Sequence, residues 1–419
     1  MLRKAFFWIH LTAGVVAGVV ILVMSVTGAL LAFQPQVLRL VERDVRELVP
    51  PVPRPEPLPP QALLAGALAA RPDLRPASLT LDADPHVAAT VAVGREGVLY
   101  VDPYTAAVRG EGSRAWRGFF RSVTDWHRWL AASGDARETG KAVTGACNAA
   151  FLFLSMSGVY LWWPKQWTWR HLRPVVAFQG GLAGKARDFN WHNVIGLWCA
   201  PVIFFLTLTA LMISYPAVGN AVYPQQPPAA PARGEAAPPS RRDAAPARGD
   251  AGRPASVARG AQAGGEGRAE APMTPASFAG FDAAWTATRE RMPSWTLAVL
   301  RVARPGAPLT VSVTESSWRS PYGRSQLTFD TRKGEVVKWE SFGDHPWRRR
   351  ARNAARWLHT GEILSWPGQL AAGLASLGGA FLVWTGLALA WRRYRAWRRT
   401  PSRLAPAVVD GSRSAEPAA

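Results

Sequence analysis

Four apolar runs constrain this chain more than any other feature. They cover about residues 5–33, 142–163, 194–215 and 370–391. Each has the roughly 20 residues that a helix rising about 1.5 Å per residue needs to cross a bilayer core. A chain that is 48% apolar yet carries a net charge of +20 must keep the two kinds of residue apart, and here the charges fall between the runs. Arg3 and Lys4 before the first run, and small residues near Ala29 and Ala32 after it, resemble the flanks of a secretory signal. Signal cores, however, are only about 7 to 15 residues long, so the run reads as an uncleaved anchor.

Orientation follows from Lys and Arg in the short flanks. Arg3 and Lys4 precede the first span, Lys165, Arg170, Arg173, Lys185 and Arg187 lie between the second and third, and Arg392, Arg393, Arg395, Arg398 and Arg399 follow the fourth. Both termini are expected on the cytoplasmic side of a multi-pass protein. Arg348, Arg349, Arg350, Arg352 and Arg356 sit on the outer side instead, but charges beside a long translocated loop weigh less in the rule. Trp162, Trp163, Trp167, Trp169, Trp391 and Trp397 gather at the cytoplasmic border, as an aromatic belt does. The basic excess carries no nucleic-acid motif, and the two cysteines, Cys147 and Cys199, lie in different spans without metal-ligand spacing.

The second strong signal is repetition. His10 and His192 are 182 residues apart, and the same offset relates Gly14 to Gly196, Thr27 to Thr209 and Phe33 to Tyr215. An offset of 228 relates Asp102 to Asp330, Val108 to Val336, Gly158 to Gly386, Leu161 to Leu389 and Trp163 to Trp391. The difference is accommodated by a stretch of Ala, Pro, Gly, Arg and acidic residues at 225–272, which has no apolar periodicity and reads as a disordered spacer. Each half therefore reads as helix, outer domain, helix. The first outer segment has a helical run at 60–70 and strands at 87–93 and 98–101. The second has a helix at 277–291 and strands at 295–302, 309–314, 325–330 and 336–342.

The segments GVLYVDPYTAAV and SQLTFDTRKGEV resemble the strand, Asp, turn, strand ending of PepSY domains. The frame around them, with WIHLTAG, DWHRWL, SGVYLWWP, NWHNVIG and RWLHTGE in order, resembles the PepSY-associated transmembrane proteins. The fold expected is membrane α-helical, with four transmembrane helices in two tandem repeats, each carrying a small α+β periplasmic PepSY-like domain. The chain then divides into a first span (5–33), a first PepSY-like domain (34–125), an interfacial helix with the second span (126–163), a cytoplasmic loop (164–189) and a third span (190–215). The spacer (225–272), a second PepSY-like domain (273–346), an interfacial helix with the fourth span (347–391) and a basic cytoplasmic tail (392–419) complete it. The resemblance implies an inner-membrane location and, from some family members, haem and the reduction of ferric siderophores.

The histidines point to the same chemistry without the family. Of seven, four stand at or near span ends, where an ionisable residue needs a partner. His10 and His192 lie at the inner ends of the first and third spans, and His127 and His359 on the outer approaches to the second and fourth. Axial ligation of a haem b iron takes two neutral imidazoles, which facing helices in a bundle can supply. His10 with His192 would hold one haem and His127 with His359 a second. His86, His171 and His345 have no repeat counterparts and read as surface residues. Gly14, Gly18, Gly28, Gly196 and Gly386 would allow either close helix approach or room for a flat macrocycle. Arg121 and Arg348 flank the outer histidines, and Arg128, Arg349, Arg352 and Arg356 are the candidates to bind haem propionates or an anionic ferric chelate.

These residues describe one-electron transfer, with no catalytic acid or nucleophile. No G-x-G-x-x-G opens a helix, so the donor would be a separate reductase or membrane quinol. A different class stays open: a haem-free, membrane-anchored PepSY scaffold that binds or regulates exported proteins or proteases. A siderophore permease fits less well, with only four spans and no acidic residue expected within them.

Overall fold

The computed structural model describes residues 1–52, 56–94, 97–164, 166–215, 218, 273–302, 307–315 and 323–399. The spacer at 225–272 and the end of the basic tail lie outside the described residues. In chain order the helices are α1 (Leu2–Ala32), α2 (Gln34–Val41), α3 (Arg43–Arg46), α4 (Pro60–Ala70), α5 (Arg114–Trp129), α6 (Ala136–Trp162), α7 (Trp169–Val176), α8 (Gly184–Ser214), α9 (Phe281–Arg291), α10 (Trp347–Thr360) and α11 (Ser365–Arg399). The strands are β1 (Pro76–Asp82), β2 (Ala89–Val93), β3 (Gly97–Val101), β4 (Val108–Glu111), β5 (Trp295–Arg301), β6 (Leu309–Glu315), β7 (Arg324–Asp330) and β8 (Glu335–Glu340).

Helices α1, α6, α8 and α11 are long and apolar enough to cross a membrane, and they pack as a four-helix bundle. Both α1 and α8 lie against α6 and α11, so α1 faces α8 across the bundle. The bundle is built inside out relative to a water-soluble one. Its outer face exposes Val16, Val19, Trp198, Phe205, Leu374 and Phe381, whereas Ser25, Asn148, Thr207, Gln369 and Thr385 are buried inside. Lipid is the solvent that makes this arrangement favourable, because apolar side chains gain nothing by hiding from it and polar ones do. The Arg393 guanidinium lies 4.8 Å from the ring of Trp8, so the start of α1 and the end of α11 share one end of the bundle.

The sheet lies at the other end. All eight strands form one antiparallel sheet in the order β4-β3-β2-β1-β5-β6-β7-β8. Strands from before α6 fill one half and those from after α8 the other. They meet where Leu79 pairs with Leu300 and Leu81 with Ala298. The two outer segments, expected as separate small domains, therefore share a sheet and a core. One face of that sheet, with Leu79, Val91, Leu300, Val311, Val313 and Leu327, is buried under α4 and α9. Strand β6 shows the cause in its alternation, with Leu309, Val311 and Val313 inward and Thr310, Ser312 and Thr314 outward. Each fully buried aliphatic side chain contributes about 1.5–3 kcal/mol. Strand β1 has no counterpart in the sequence reading, whereas β4 is the strand that the PepSY-like ending places after the Asp102 turn, and the helix expected at 277–291 begins at Phe281 after a short 3-10 turn.

Two helices link sheet to bundle. Ser113 caps α5 by accepting from the Trp116 amide, so this helix starts at residue 114, well before the expected boundary at 126. Helix α10 ends at Gly361, whose φ of 75° is the left-handed conformation that stops a helix. Helices α5 and α10 carry His127 and His359.

Candidate functional site

The bundle brings the four sequence-singled histidines together as two pairs. The ring centroids of His10 on α1 and His192 on α8 are 6.5 Å apart, with planes at 84°. Those of His127 on α5 and His359 on α10 are 6.4 Å apart, with planes at 49°. One metal ion held linearly between two imidazole nitrogens, at about 2 Å from each, separates the centroids by roughly 6.4 Å. Both pairs have that separation.

The hydrogen bonds decide which nitrogen of each ring is available. His127 Nδ1 lies 3.0 Å from the Met24 carbonyl, and His359 Nδ1 lies 2.9 Å from the Leu206 carbonyl. A carbonyl can only accept, so Nδ1 of each ring carries the proton. Thr27 and Thr209 stand beside these carbonyls, at 3.0 and 3.3 Å from the same nitrogens. Each threonine donates its own hydroxyl to a backbone carbonyl of its helix, Thr27 to Val23 and Thr209 to Phe205. Its oxygen is thereby turned into an acceptor for the ring. The inner pair follows the same rule: His192 Nδ1 is 2.9 Å from Thr385 Oγ1, which donates to Phe381, and His10 Nδ1 is 2.8 Å from Ser157 Oγ. Nε2 of each ring is left with its lone pair. A donor hydrogen bond at one nitrogen and a free lone pair at the other is the usual state of a metal-ligating histidine.

Glycines lie beside three of the rings: a Cβ at Gly28 would crowd His127 at 3.2 Å, whereas one at Gly158 or Gly386 would make ordinary contact with His10 or His192, at 3.5 and 3.4 Å. The two pairs are separated by fourteen residues of α1, from His10 to Met24, or roughly 20 Å of helix. Among the described residues no group of three or more His, Cys, Asp or Glu gathers to hold a metal ion. The ligand set on offer is the histidine pair.

Electrostatics separates the outer pair from an ordinary surface site. Burial holds the His127 imidazole down at about 4, with the His359 ring adding to the effect, and burial also lowers His359. Both rings are thus neutral at physiological pH, as ligation requires. The arginines expected beside them are only partly gathered. Arg349 turns away to Glu340, at 3.5 Å, and Arg348 stacks over Trp347. Arg352 and Arg356 line a pocket with Arg324, while Arg128 lies over Trp129, with burial and the charges of Arg137 and Arg356 depressing its pKa. Arg324 opens β7, far from the histidines in sequence, and no local pattern marks it.

Several supporting residues were not legible as such. Ser157 and Thr385 carry no sequence mark of their role, whereas Thr27 and Thr209 stood out as a matched pair without one. Glu42, 3% exposed, accepts a two-pronged bond from Arg117 of α5 at 2.7 and 2.6 Å, plus bonds from Tyr100 at 2.7 Å and the Ser113 amide at 2.9 Å. It ties the helix that carries His127 to the sheet. At the opposite end, α8 begins earlier than expected and brings a buried acid with it. Asp188 is held by Arg187 at 2.9 Å and by Arg392 of α11 at 3.0 Å. His345 also differs from the surface role expected for it, since both its ring nitrogens are buried without partners and its ring packs on Phe342.

Residues 7–393 match the family model described as the PepSY-associated TM region. No curated protein matches the chain.

Proposed function

Because the chain belongs to the PepSY-associated TM family, we propose that it is a di-haem b electron-transfer protein of the cytoplasmic membrane. It passes electrons outward to reduce a ferric siderophore or similar iron chelate near the sheet. The observation that carries this reading is the geometry of the two pairs, with centroids 6.5 and 6.4 Å apart and every Nδ1 engaged. Haem, when bound, would supply a one-electron couple tuned by the histidines that hold it and by the hydrogen bonds to their Nδ1 atoms. The chain's part is to hold four neutral imidazoles with Nε2 free, to keep water out with the lipid-facing shell, and to fix the two pairs roughly 20 Å apart along the bundle.

On this reading both termini and α7 are cytoplasmic, following the Lys and Arg of the short flanks, and the sheet is periplasmic. The two halves are copies of one unit, as the matched residues Thr27 and Thr209, and Gly158 and Gly386, suggest by their equivalent places around the histidines. Arg128 stands beside His127 of the outer pair, where its guanidinium group can neutralise a carboxylate of a propionate or a chelate. The donor is a separate reductase or quinol.

A reduced-minus-oxidised visible spectrum and a haem-to-protein ratio on the purified protein test the proposal, repeated with His10→Ala and His359→Ala. Two b-type haems per chain, with one lost in each variant, is the expected result. A haem-free protein would overturn it and leave the membrane-anchored scaffold for exported proteins as the working function.

A further inference from the structure

A pocket of about 370 Å³ opens between β7, α10 and the last turn of α8. Its polar lining is Arg324, Arg352, Asn353 and Arg356, and its apolar lining includes Met212 and Ile213. Arg324 arrives from the sheet and the others from α10, so the cations converge from two separate elements. The Trp357 ring is within reach of two of them, 5.4 Å from the Arg324 guanidinium and 5.8 Å from that of Arg356. Among the described lining residues there is no carboxylate, and Glu362, whose charge acts on Arg324, lies outside the lining. Burial and the positive charges of Arg356 and Arg301 all work against Arg324. Arg324 and Arg356 repel each other across the pocket, and an anion seated between them relieves that repulsion.

The position of the pocket narrows the choice of anion. Met212 and Ile213 belong to the end of a membrane-crossing helix, and Ile213 is 45% exposed. An oxyanion seated among the guanidinium groups would therefore sit directly above an uncovered apolar surface at the membrane border. A phospholipid satisfies both at once, its phosphate paired with arginine and its acyl chains along α8. We propose that this pocket binds the headgroup of an anionic phospholipid from the leaflet facing the sheet, fixing α10 and the sheet against the bilayer.

The test is native mass spectrometry of the full protein in detergent, titrated with phosphatidylglycerol, with phosphatidylcholine and with inorganic phosphate. Retained phosphatidylglycerol is expected, with affinity about fivefold lower in Arg324→Gln and in Arg356→Gln, nearly restored in Arg324→Lys and unchanged in Arg332→Gln on the exposed β7–β8 turn. Equal lipid retention in all variants would overturn the proposal. So would binding of inorganic phosphate as tight as that of the lipid, which would make the ligand a soluble oxyanion. Haem content is read in the same spectra: loss of haem with lipid retained in the Arg356 variant would assign the pocket to a propionate and overturn the lipid assignment. Lipid binding that depends on Arg324 in a chain without haem would uphold it while refuting the electron-transfer reading.

Discussion

Replacing Glu42 by alanine isolates the contact that fixes α5, and its effect can be worked from the structure. The Glu42 side chain is 2% exposed and the Arg117 side chain 23%. Removing one partner of a buried ion pair costs about 3–5 kcal/mol, since the other is left uncompensated. Arg117 keeps some contact with water, which puts the expected loss near the lower end, about 3 kcal/mol. The loss falls on the junction between α5 and the sheet, so it shows as local opening. About 3 kcal/mol corresponds to a roughly hundredfold faster amide exchange in α5, measurable by hydrogen–deuterium exchange with mass spectrometry. His127 follows Arg117 on the same helix, so haem at the outer pair should be released faster while the inner pair is unaffected. The pH dependence supplies an internal check. Burial alone would raise the Glu42 carboxyl, but hydrogen bonds from Arg117 and Tyr100 and the Arg117 charge outweigh it and hold the carboxyl below its ordinary value. A depressed carboxylate contributes its stability above the ordinary pKa near 4.5 and loses it as pH falls through the folded value. Wild-type α5 should therefore loosen in acid, and the alanine variant should show a flatter profile. Exchange in α5 that stays within about threefold of wild type would refute the reasoning.

The remaining predictions concern the ligand shell, the turn and the core. Ser157→Ala removes the hydroxyl bonded to His10 Nδ1 and should weaken haem retention at the inner pair about 10- to 100-fold, read by transfer to apomyoglobin. Thr27→Val should do less at the outer pair, because the Met24 carbonyl still accepts from His127; an equal effect would contradict the assigned tautomer. Gly361→Ala places a Cβ against the Gly368 carbonyl at a φ of 75° and should destabilise the α10–α11 turn by roughly 2 kcal/mol or more, seen as a lower thermal midpoint. Leu79→Ala, at a fully buried position on the central strand β1, should cost about 2–5 kcal/mol in unfolding experiments.

The spans and the four histidines were legible because both are written in single residues: an apolar run needs no partner to be recognised, and a histidine at a span end stands out against it. The sheet was only half legible. Strands β5 to β8 alternate clearly, but β4 is four residues long and ends in Arg109, Gly110 and Glu111, and β1 begins at Pro76, a residue that strand interiors disfavour. The joining of the two outer segments was not visible, since pairing of Ser78 with Arg301 is a contact across more than two hundred residues. The same holds for Arg324, for Ser157 and for Glu42, whose roles exist only through side chains from other elements. Asp188 carries no such mark, because the apolar run begins later than the helix that contains it.

The β1–β5 seam makes the histidine spacing a matter of registration. A slip of two residues along that seam keeps every side chain on its proper face, so the sheet itself would tolerate it, yet it would slide one half past the other by about 6.6–7 Å. That displacement is as large as the 6.4 Å between His127 and His359. The seam thus acts as a ruler between the two halves, and a strand mispairing too mild to unfold the protein would still pull its outer imidazoles out of reach of a common ligand.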